Sequence, residues 1–175
     1  MTDQRIAWAI TGAGHWLAEC ADRLLRYENV DVYLSRAAEE VVRMYHLQDR
    51  LERPGVRIRR ETLASSPAVA GFARGVYRVL VVAPATSNSV AKFVHGISDS
   101  LVTNLFAQAG KSRVPIIVLP TDLAPEMESF GPRGGLIKVY PRPIDLENTA
   151  KLRGFPGVAV VSSVEEMAQC LATYL

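Results

Sequence analysis

The chain has 175 residues, of which 49% are apolar and 22% are charged, a composition typical of an ordinary globular protein. Its formal net charge of +2, from 20 basic and 18 acidic side chains, gives no reason to expect binding to nucleic acid or to an anionic membrane. No apolar run reaches membrane-spanning length, and the first residues, MTDQR, lack the pattern of a secretory signal. Cys20 and Cys170 lie in separate helical patterns, which indicates reduced thiols rather than a disulfide or a metal site. We therefore expect one cytoplasmic domain that spans residues 1–175.

The first part of the chain alternates apolar runs with apolar residues at helical spacing. An apolar run predicts a strand from Arg5 to Thr11, which ends in a glycine turn and is followed by a helix from about Trp16. The remaining predictions here are a strand from Val30 to Leu34, a helix through Val41 and Tyr45, an edge strand from Val56 to Arg60, and a loop or short helix from Ser65 to Arg74.

The stretch from Val79 to Asn104 carries the predicted site. Its apolar run predicts a strand that is buried on both faces and ends at Pro84. The polar loop after Pro84 is predicted to open a helix at Asn88, with Ser87 as its cap, and a second helix capped by Ser98 or Asp99 is predicted to end at Gly110. Because open α/β sheets bind ligands beyond the carboxyl ends of their strands and beside helix N-termini, this loop is expected to line a binding site.

The last part of the chain begins with a predicted strand from Val114 to Leu119. Residues 121–135 are rich in Pro, Gly and polar side chains and show no core-forming period, which indicates a loop or lid. The predictions that follow are a strand from Leu136 to Tyr140, a helix from Ile144 to Leu152, a strand from Val158 to Val161 and a C-terminal helix from Ser163. Strands that alternate with helices predict a doubly wound parallel sheet in a three-layer α/β/α arrangement.

The first glycine turn is a partial dinucleotide-binding fingerprint. Gly12 and Gly14 are present, but Leu17 stands where a third glycine is expected, so the match is weak. An NAD site needs an acidic residue at the end of the second strand, where this chain has Ser35 and Arg36. Two ligand hypotheses remain. Ser35 and the backbone N–H groups of residues 13–15 hold a phosphate monoester such as that of FMN, or Arg36 holds the 2′-phosphate of NADP. A tight turn without a ligand is the alternative.

The segment Pro84-Ala85-Thr86-Ser87-Asn88-Ser89, followed by residues 96–104, GISDSLVTN, resembles the PASANT-type segment of the flavoprotein superfamily named after the flavin-containing cysteine decarboxylases. The resemblance extends from Ile6 to about Pro120. It implies a flavodoxin-like (Rossmann-like) fold that binds FMN, with the flavin phosphate against the glycine turn and Ser35. The candidate cofactor-binding residues are therefore Gly12, Ala13, Gly14, His15, Ser35, Arg36, Pro84, Ala85, Thr86, Ser87, Asn88, Ser89, Pro120 and Thr121, with Ser98, Asp99, Thr103 and Asn104 near the flavin ring or at a subunit contact.

Two signatures of the decarboxylases themselves are missing. Their histidine about fourteen residues before the PASANT-like proline is replaced by Ala70, and their substrate clamp is replaced by Pro120-Thr121-Asp122. With Ile10-Thr11-Gly12-Ala13-Gly14-His15, the chain looks more like the archaeoflavoprotein and dihydromethanopterin reductase branch. The flavin-dependent prenyl transfer branch shows no close match.

That branch resemblance implies an FMN-dependent reductase that takes electrons from a ferredoxin-like carrier or from NADPH. Its acceptor would be a dihydropterin such as dihydromethanopterin, reduced to tetrahydromethanopterin by a hydride from flavin N5 to the pterin C6=N5 bond and a proton to the pterin nitrogen. The resemblance also implies a homo-oligomer built from trimers, with flavins at the trimer interfaces. The trimers could assemble further into a cage. The rival hypotheses are a general FMN electron-transfer protein and a non-redox module that binds FMN or NADP.

The proton donor is the least defined part of this hypothesis. Asp122 and His95 are the candidates, although Asp122 is equally explained as a turn cap and His95 as a helix-end residue. His15 is explained either by contact with phosphate or flavin or by an exposed helix start. Arg133, in the glycine-rich part of the predicted lid, is explained equally by contact with an anionic substrate tail and by solvation. No spacing of His, Cys and Asp suggests a metal.

Overall fold

The computed structural model describes residues 4–52, 54–62 and 67–175, in which strands and helices alternate. The strands are β1 (Arg5–Ile10), β2 (Val30–Leu34), β3 (Val56–Arg60), β4 (Tyr77–Ala85), β5 (Ile116–Pro120), β6 (Met127–Phe130), β7 (Leu136–Val139) and β8 (Val158–Val160). The helices are α1 (Leu17–Leu24), α2 (Arg36–Met44), α3 (Gln48–Leu51), α4 (Ser87–Val94), α5 (Leu101–Lys111), α6 (Pro143–Leu152) and α7 (Val164–Ala172), and a 3₁₀ turn spans Pro67–Gly71. The prediction for residues 65–74 lies partly outside the described residues, and its described part contains that 3₁₀ turn.

Six parallel strands form the main sheet in the order β3-β2-β1-β4-β5-β8. The chain moves outward from β1 through β2 to β3, then returns to the other side of β1 at β4 and continues outward to β8. The predicted doubly wound α/β fold of the flavodoxin-like (Rossmann-like) class is thus confirmed. In sheets of this kind the connections diverge where the strand order reverses, and ligands bind at that point beyond the carboxyl ends of the strands. Here that point lies between β1 and β4.

The two central strands are apolar after their first residues, from Ile6 in β1 and from Val79 in β4, because helices cover both faces of the sheet. On one face, Trp8 of β1 packs among side chains of α1, α2 and α7. On the other face, Leu80 and Val82 of β4 pack among side chains of α4, α5 and α6. The Trp8 indole N–H donates a hydrogen bond to the Ala83 carbonyl at 2.9 Å, which joins β1 to β4 near the ends of both strands. Among the described residues, no helix is long and apolar enough to cross a membrane.

A buried polar network lies at the start of the sheet. The Asp31 carboxylate on β2 pairs with the Arg5 guanidinium at 2.8 Å and accepts a hydrogen bond from the Tyr77 hydroxyl, also at 2.8 Å. The Tyr33 and Tyr77 hydroxyl oxygens lie 2.5 Å apart. Burial, followed by these hydrogen bonds, raises the pKa of Tyr77, and burial also raises that of Tyr33. Both phenols therefore keep their protons, and the Asp31 carboxylate accepts from Arg5 and Tyr77.

The predicted cap of α4, Ser87, lies one residue after the observed cap. Thr86, not Ser87, has the extended backbone of a cap residue, and its side chain accepts a hydrogen bond from the Ser89 N–H at 3.3 Å. The helix begins at Ser87 rather than Asn88 because β4 continues through Ala85, which leaves Thr86 as the single residue between strand and helix. A run of four hydroxyl and amide side chains offers several possible caps, and the end of the strand decides among them.

The predicted cap of α5 was also displaced. Ser100, rather than Ser98 or Asp99, caps the helix, and its Oγ accepts a hydrogen bond from the Thr103 N–H at 3.3 Å. The Thr103 side chain accepts in return from the Ser100 N–H, which completes a capping box. Asp99 instead pairs with Lys92 of α4, with 2.8 Å between the ammonium nitrogen and the carboxylate.

Residues 121–135 contain a strand that sequence patterning did not predict. β6 pairs antiparallel with β7, Met127 opposite Val139 and Phe130 opposite Leu136, to form a hairpin separate from the main sheet. The strand predicted from Leu136 is confirmed as β7. β6 was missed because its four residues, MESF, are too few and too polar to show a period-two pattern. The segment therefore forms part of an ordered arm, here called the hairpin (residues 127–139).

Candidate functional site

Thr11 joins the glycine turn to the loop that follows β4. Its backbone N–H and its hydroxyl donate to the Pro84 carbonyl at 3.2 Å and 2.9 Å, and its Oγ1 accepts from the Thr86 N–H at 2.8 Å. The Ala83–Pro84 peptide bond is cis. Since Thr11 is buried, these bonds are shielded from water. They bring together the two segments that the sequence analysis identified separately.

The glycines of the first turn are required by packing. A Cβ atom at Gly12 would lie 2.5 Å from the Ala37 Cβ, and one at Gly14 would lie 2.1 Å from the Tyr45 hydroxyl oxygen. The turn is therefore pressed against both ends of α2. This contact explains both glycines, whatever ligand the turn holds.

One cavity lies where the N-terminal ends of α2, α4 and α5 converge, and we call it the helix-end cavity. Its volume is about 300 Å³. Helix N-termini carry partial positive charge and unpaired N–H groups, which suits a phosphate. The Ser35 hydroxyl accepts from the Ala38 N–H at 3.0 Å and keeps its own proton for donation. The lining residues are Thr11, Gly12, Ser35, Arg36, Ala37, Glu61, Thr86, Asn88, Ser89, Lys92 and Ser100.

A second cavity, of about 380 Å³, lies between the glycine turn, the start of α4 and the hairpin, and we call it the hairpin cavity. Its hairpin wall is largely apolar, with Met127, Phe130 and Ile137, and the Tyr45 hydroxyl holds that wall in place by donating to the Phe130 carbonyl at 2.9 Å. Thr86 and Asn88 line both cavities. The two cavities therefore meet at the N-terminal end of α4.

Burial shifts the pKa values of two titratable side chains of the hairpin cavity, in each case in the direction of the neutral form. His15 has a buried Nε2 with no hydrogen-bond partner in the described part of the chain, and its ring centroid is 4.1 Å from that of Trp16. Burial lowers the pKa of His15, although Glu19 opposes the shift. Burial, followed by the nearby Asp145 carboxylate, raises the pKa of Asp122. The cavity thus contains one polar atom without a partner and one carboxyl group that retains its proton more readily than usual.

Most of the candidate site residues lie at these cavities. Gly12, Ser35, Arg36 and Ser89 line the helix-end cavity, Ala13, Gly14, His15, Ser87, Thr121 and Asp122 line the hairpin cavity, and Thr86 and Asn88 line both. Pro84, Ala85 and Pro120 instead hold the backbone: Ala85 pairs with Pro120, and its carbonyl accepts from the Thr121 N–H at 2.9 Å.

The structure does not bring His95 to the same place as Asp122. His95 follows the last residue of α4 and lines neither cavity, whereas Asp122 lines the hairpin cavity. Arg133 is exposed in the hairpin turn, outside the cavity lining.

The weaker candidates near α5 make contacts with other residues of the chain. Thr103 belongs to the capping box, and Asp99 pairs with Lys92. The Asn104 amide donates to the Ser98 carbonyl at 3.0 Å. None of the four candidates (Ser98, Asp99, Thr103 and Asn104) lines either cavity, and their predicted place near the flavin ring or at a subunit contact stays a prediction.

Sequence reasoning missed several residues of the lining, among them Thr11, Tyr45, Glu61 and Met127. Thr11 directly follows β1 and Glu61 directly follows β3. Residues just after the end of β2 were treated as candidate ligand contacts, and the same treatment of β1 and β3 would have found both residues. Tyr45 and Met127 carry no such signal, because α2 and the hairpin bring them to the cavity from elsewhere in the chain. Within the described ranges, no group of His, Cys, Asp and Glu side chains could hold a metal ion.

The chain is similar to a named reductase and to a solved FMN-bound structure. The dihydromethanopterin reductase (acceptor) of Methanosarcina mazei is 44% identical over 158 residues, which are 83% of this chain and 62% of the reductase. The chain therefore spans less than two thirds of that reductase's length. The structure of Burkholderia xenovorans DmrB in complex with FMN, described as a cubic protein cage for redox transfer, has 39% sequence identity and a TM-score of 0.88, and covers 98% of this chain and 94% of its own.

Two further findings concern the family. An uncharacterized protein of Methanocaldococcus jannaschii is 35% identical over 178 residues, which are 98% of this chain and 96% of that protein. The family model described as Flavoprotein matches residues 1–174. The family model confirms the flavoprotein superfamily indicated by the residues around Pro84. The reductase and DmrB matches confirm the dihydromethanopterin reductase branch indicated by the residues around His15. The chain belongs to the Flavoprotein family.

Proposed function

We propose that this protein is a cytoplasmic FMN-dependent reductase that passes a hydride from reduced flavin to a dihydropterin, with dihydromethanopterin as the first candidate acceptor. The observation that carries the proposal is the meeting of two cavities at the start of α4, one suited to a phosphate and the other with an apolar wall. The FMN bound to DmrB and the activity named for the Methanosarcina mazei relative support it.

The residues present fit FMN. The phosphate would lie in the helix-end cavity, among the Ser35 and Ser89 hydroxyls at the starts of α2 and α4. The flavin ring would enter the hairpin cavity, where the buried Nε2 of His15 lacks a partner in the described structure. An unpaired buried polar atom is costly, and a polar edge of the ring would satisfy it.

When bound, FMN supplies the hydride, and the protein supplies orientation, exclusion of water and a proton. Reduction of the pterin C6=N5 bond by a hydride at C6 would require a proton at N5. We assign that proton to the Asp122 carboxyl group, which lines the hairpin cavity and whose pKa is raised by burial. The hairpin, held by Tyr45, limits the entry of water.

The test is a visible absorption spectrum of the purified protein, followed by anaerobic addition of NADPH and then of dihydromethanopterin. The proposal expects a yellow protein that bleaches and is reoxidised by the pterin. Bleaching without reoxidation would favour the general electron-transfer protein instead. If NADPH fails to bleach the flavin, a reduced ferredoxin tests the other candidate donor. A bound flavin that no reductant bleaches would favour a non-redox binding module, and absence of flavin after incubation with FMN would refute the site.

We also propose that the protein assembles as a homo-oligomer built from trimers, and that the hairpin takes part in the contact. Phe130 and Leu136 of the hairpin and the adjacent Tyr140 are 64%, 56% and 66% exposed, and apolar patches of this kind mark interaction surfaces. DmrB, the FMN-bound relative, is described as a cage. Light scattering should show a smaller assembly for Phe130→Ser with Leu136→Ser, and an unchanged mass would contradict the role of the hairpin.

A further inference from the structure

Glu61 joins the beginnings of two helices. It directly follows β3, and its N–H donates to the Leu34 carbonyl at 3.1 Å, which places it beside the end of β2. One oxygen of its carboxylate accepts from the Arg36 N–H at 3.0 Å, and the other accepts from the Leu101 N–H at 2.7 Å. Arg36 and Leu101 are the first residues of α2 and α5. A single carboxylate therefore takes the position at two helix N-termini that a bound anion would take.

The same carboxylate lines the helix-end cavity, where the proposed function puts the flavin phosphate. Two anions would then share one small cavity at the same helix N-termini. The cationic side chains in its lining are Arg36 and Lys92, and Lys92 is already paired with Asp99. Like charges at close range raise the free energy of the second anion.

We propose that Glu61 is a specificity-determining residue that limits how strongly the protein prefers phosphorylated flavin over its unphosphorylated form. The charge of its carboxylate, held at the starts of two helices, opposes the phosphate charge, so affinity for FMN is held below what the cavity would otherwise give. This inference rests on the proposed FMN site.

The test compares FMN with riboflavin, which has the same ring but no phosphate. Dissociation constants are measured at pH 8 from the quenching of flavin fluorescence. Glu61→Gln keeps the length of the side chain and one hydrogen-bonding oxygen but removes the charge. The ratio of the riboflavin constant to the FMN constant should rise about tenfold in this variant, as removal of one unit charge at short range implies.

Glu39→Gln is the matched control. Glu39 lies in the first turn of α2, but it faces Arg60, 3.6 Å away, and is not part of the cavity lining. The same loss of charge at this position should leave the ratio within about twofold of the wild-type value, because the Glu39 carboxylate faces Arg60 and lies outside the cavity.

Glu61→Asp separates charge from helix linkage, and it also serves if Glu61→Gln fails to fold. Aspartate keeps the charge but is one methylene too short to reach both helices, so the ratio should stay near the wild-type value. An unchanged or lower ratio in folded Glu61→Gln, or a changed ratio in folded Glu61→Asp, would overturn the inference. Failure of the proposed function looks different, because the wild-type protein would then bind neither flavin or bind both equally, and the role of Glu61 would be refuted with it.

Discussion

Replacing Tyr45 with Phe tests whether the hairpin closes the cavity that we assign to the flavin ring. The Tyr45 hydroxyl donates to the Phe130 carbonyl at 2.9 Å, and the substitution removes that bond while it leaves the aromatic ring against Gly14. Phe130 is exposed, so water can solvate its carbonyl once the bond is lost. The cost of opening the hairpin should therefore fall by about 1 kcal/mol, near the middle of the range for one intramolecular hydrogen bond.

A change of about 1 kcal/mol corresponds to about a fivefold increase in the open population of the hairpin. Hydrogen exchange of the amides in residues 127–139 should accelerate by that factor, and FMN should dissociate about fivefold faster in a stopped-flow displacement experiment. Tyr27→Phe is the control, because Tyr27 lines neither cavity of the site and should change neither rate. Unchanged exchange and unchanged dissociation in Tyr45→Phe would show that the hairpin does not gate the site.

Three further predictions concern the cavities and the core. Asn88→Asp should weaken FMN binding about tenfold by adding a charge where the cavities meet, while thermal denaturation shows a stable fold because an acid favours a helix start; wild-type affinity and redox potential in this variant would remove the loop from the site. Because the pKa of Asp122 is raised in the folded protein, its ionisation destabilises the fold, so Asp122→Asn should be more stable than wild type to urea at pH 7. That gain should disappear below about pH 4, where the carboxyl group is protonated in both states; a gain that persists there would contradict the reasoning. Tyr77→Phe should cost about 2–4 kcal/mol in urea unfolding, because it removes a donor from Asp31 and leaves the Tyr33 hydroxyl unpaired, whereas Tyr33→Phe should cost about 1 kcal/mol; equal costs would argue against the network.

The sequence predicted the main sheet because its central strands are long apolar runs. β1 and β4 are covered by helices on both faces, so burial overrides any alternation and the run itself is the signal. The carboxyl-end rule then predicted that the loop after Pro84 lines a site, and residues of this loop do line the two cavities. What local patterning could not supply was the end of β4, which extends to Ala85 because its backbone pairs with β5. This long-range pairing moved the helix cap to Thr86.

The polar contacts of the site were harder to predict because their partners are far apart in sequence. Glu61 reaches Arg36 and Leu101, 25 and 40 residues away, and Tyr45 reaches Phe130, 85 residues away. Each contact depends on strand order and on the path of the hairpin. A single sequence carries no local pattern for such contacts. A buried strand such as VLVVA, in contrast, can be recognised from its own residues alone.

The hydrogen bonds of Thr11 imply that the two halves of the site are preorganised. Because one buried side chain holds the glycine turn, the Pro84 carbonyl and the Thr86 N–H together, a ligand entering there does not have to order either loop. The conformational entropy of those loops is already lost when the protein folds, which leaves more of the contact energy for affinity. Association at the phosphate end should therefore resemble docking onto a rigid surface, and any slow step should arise at the hairpin.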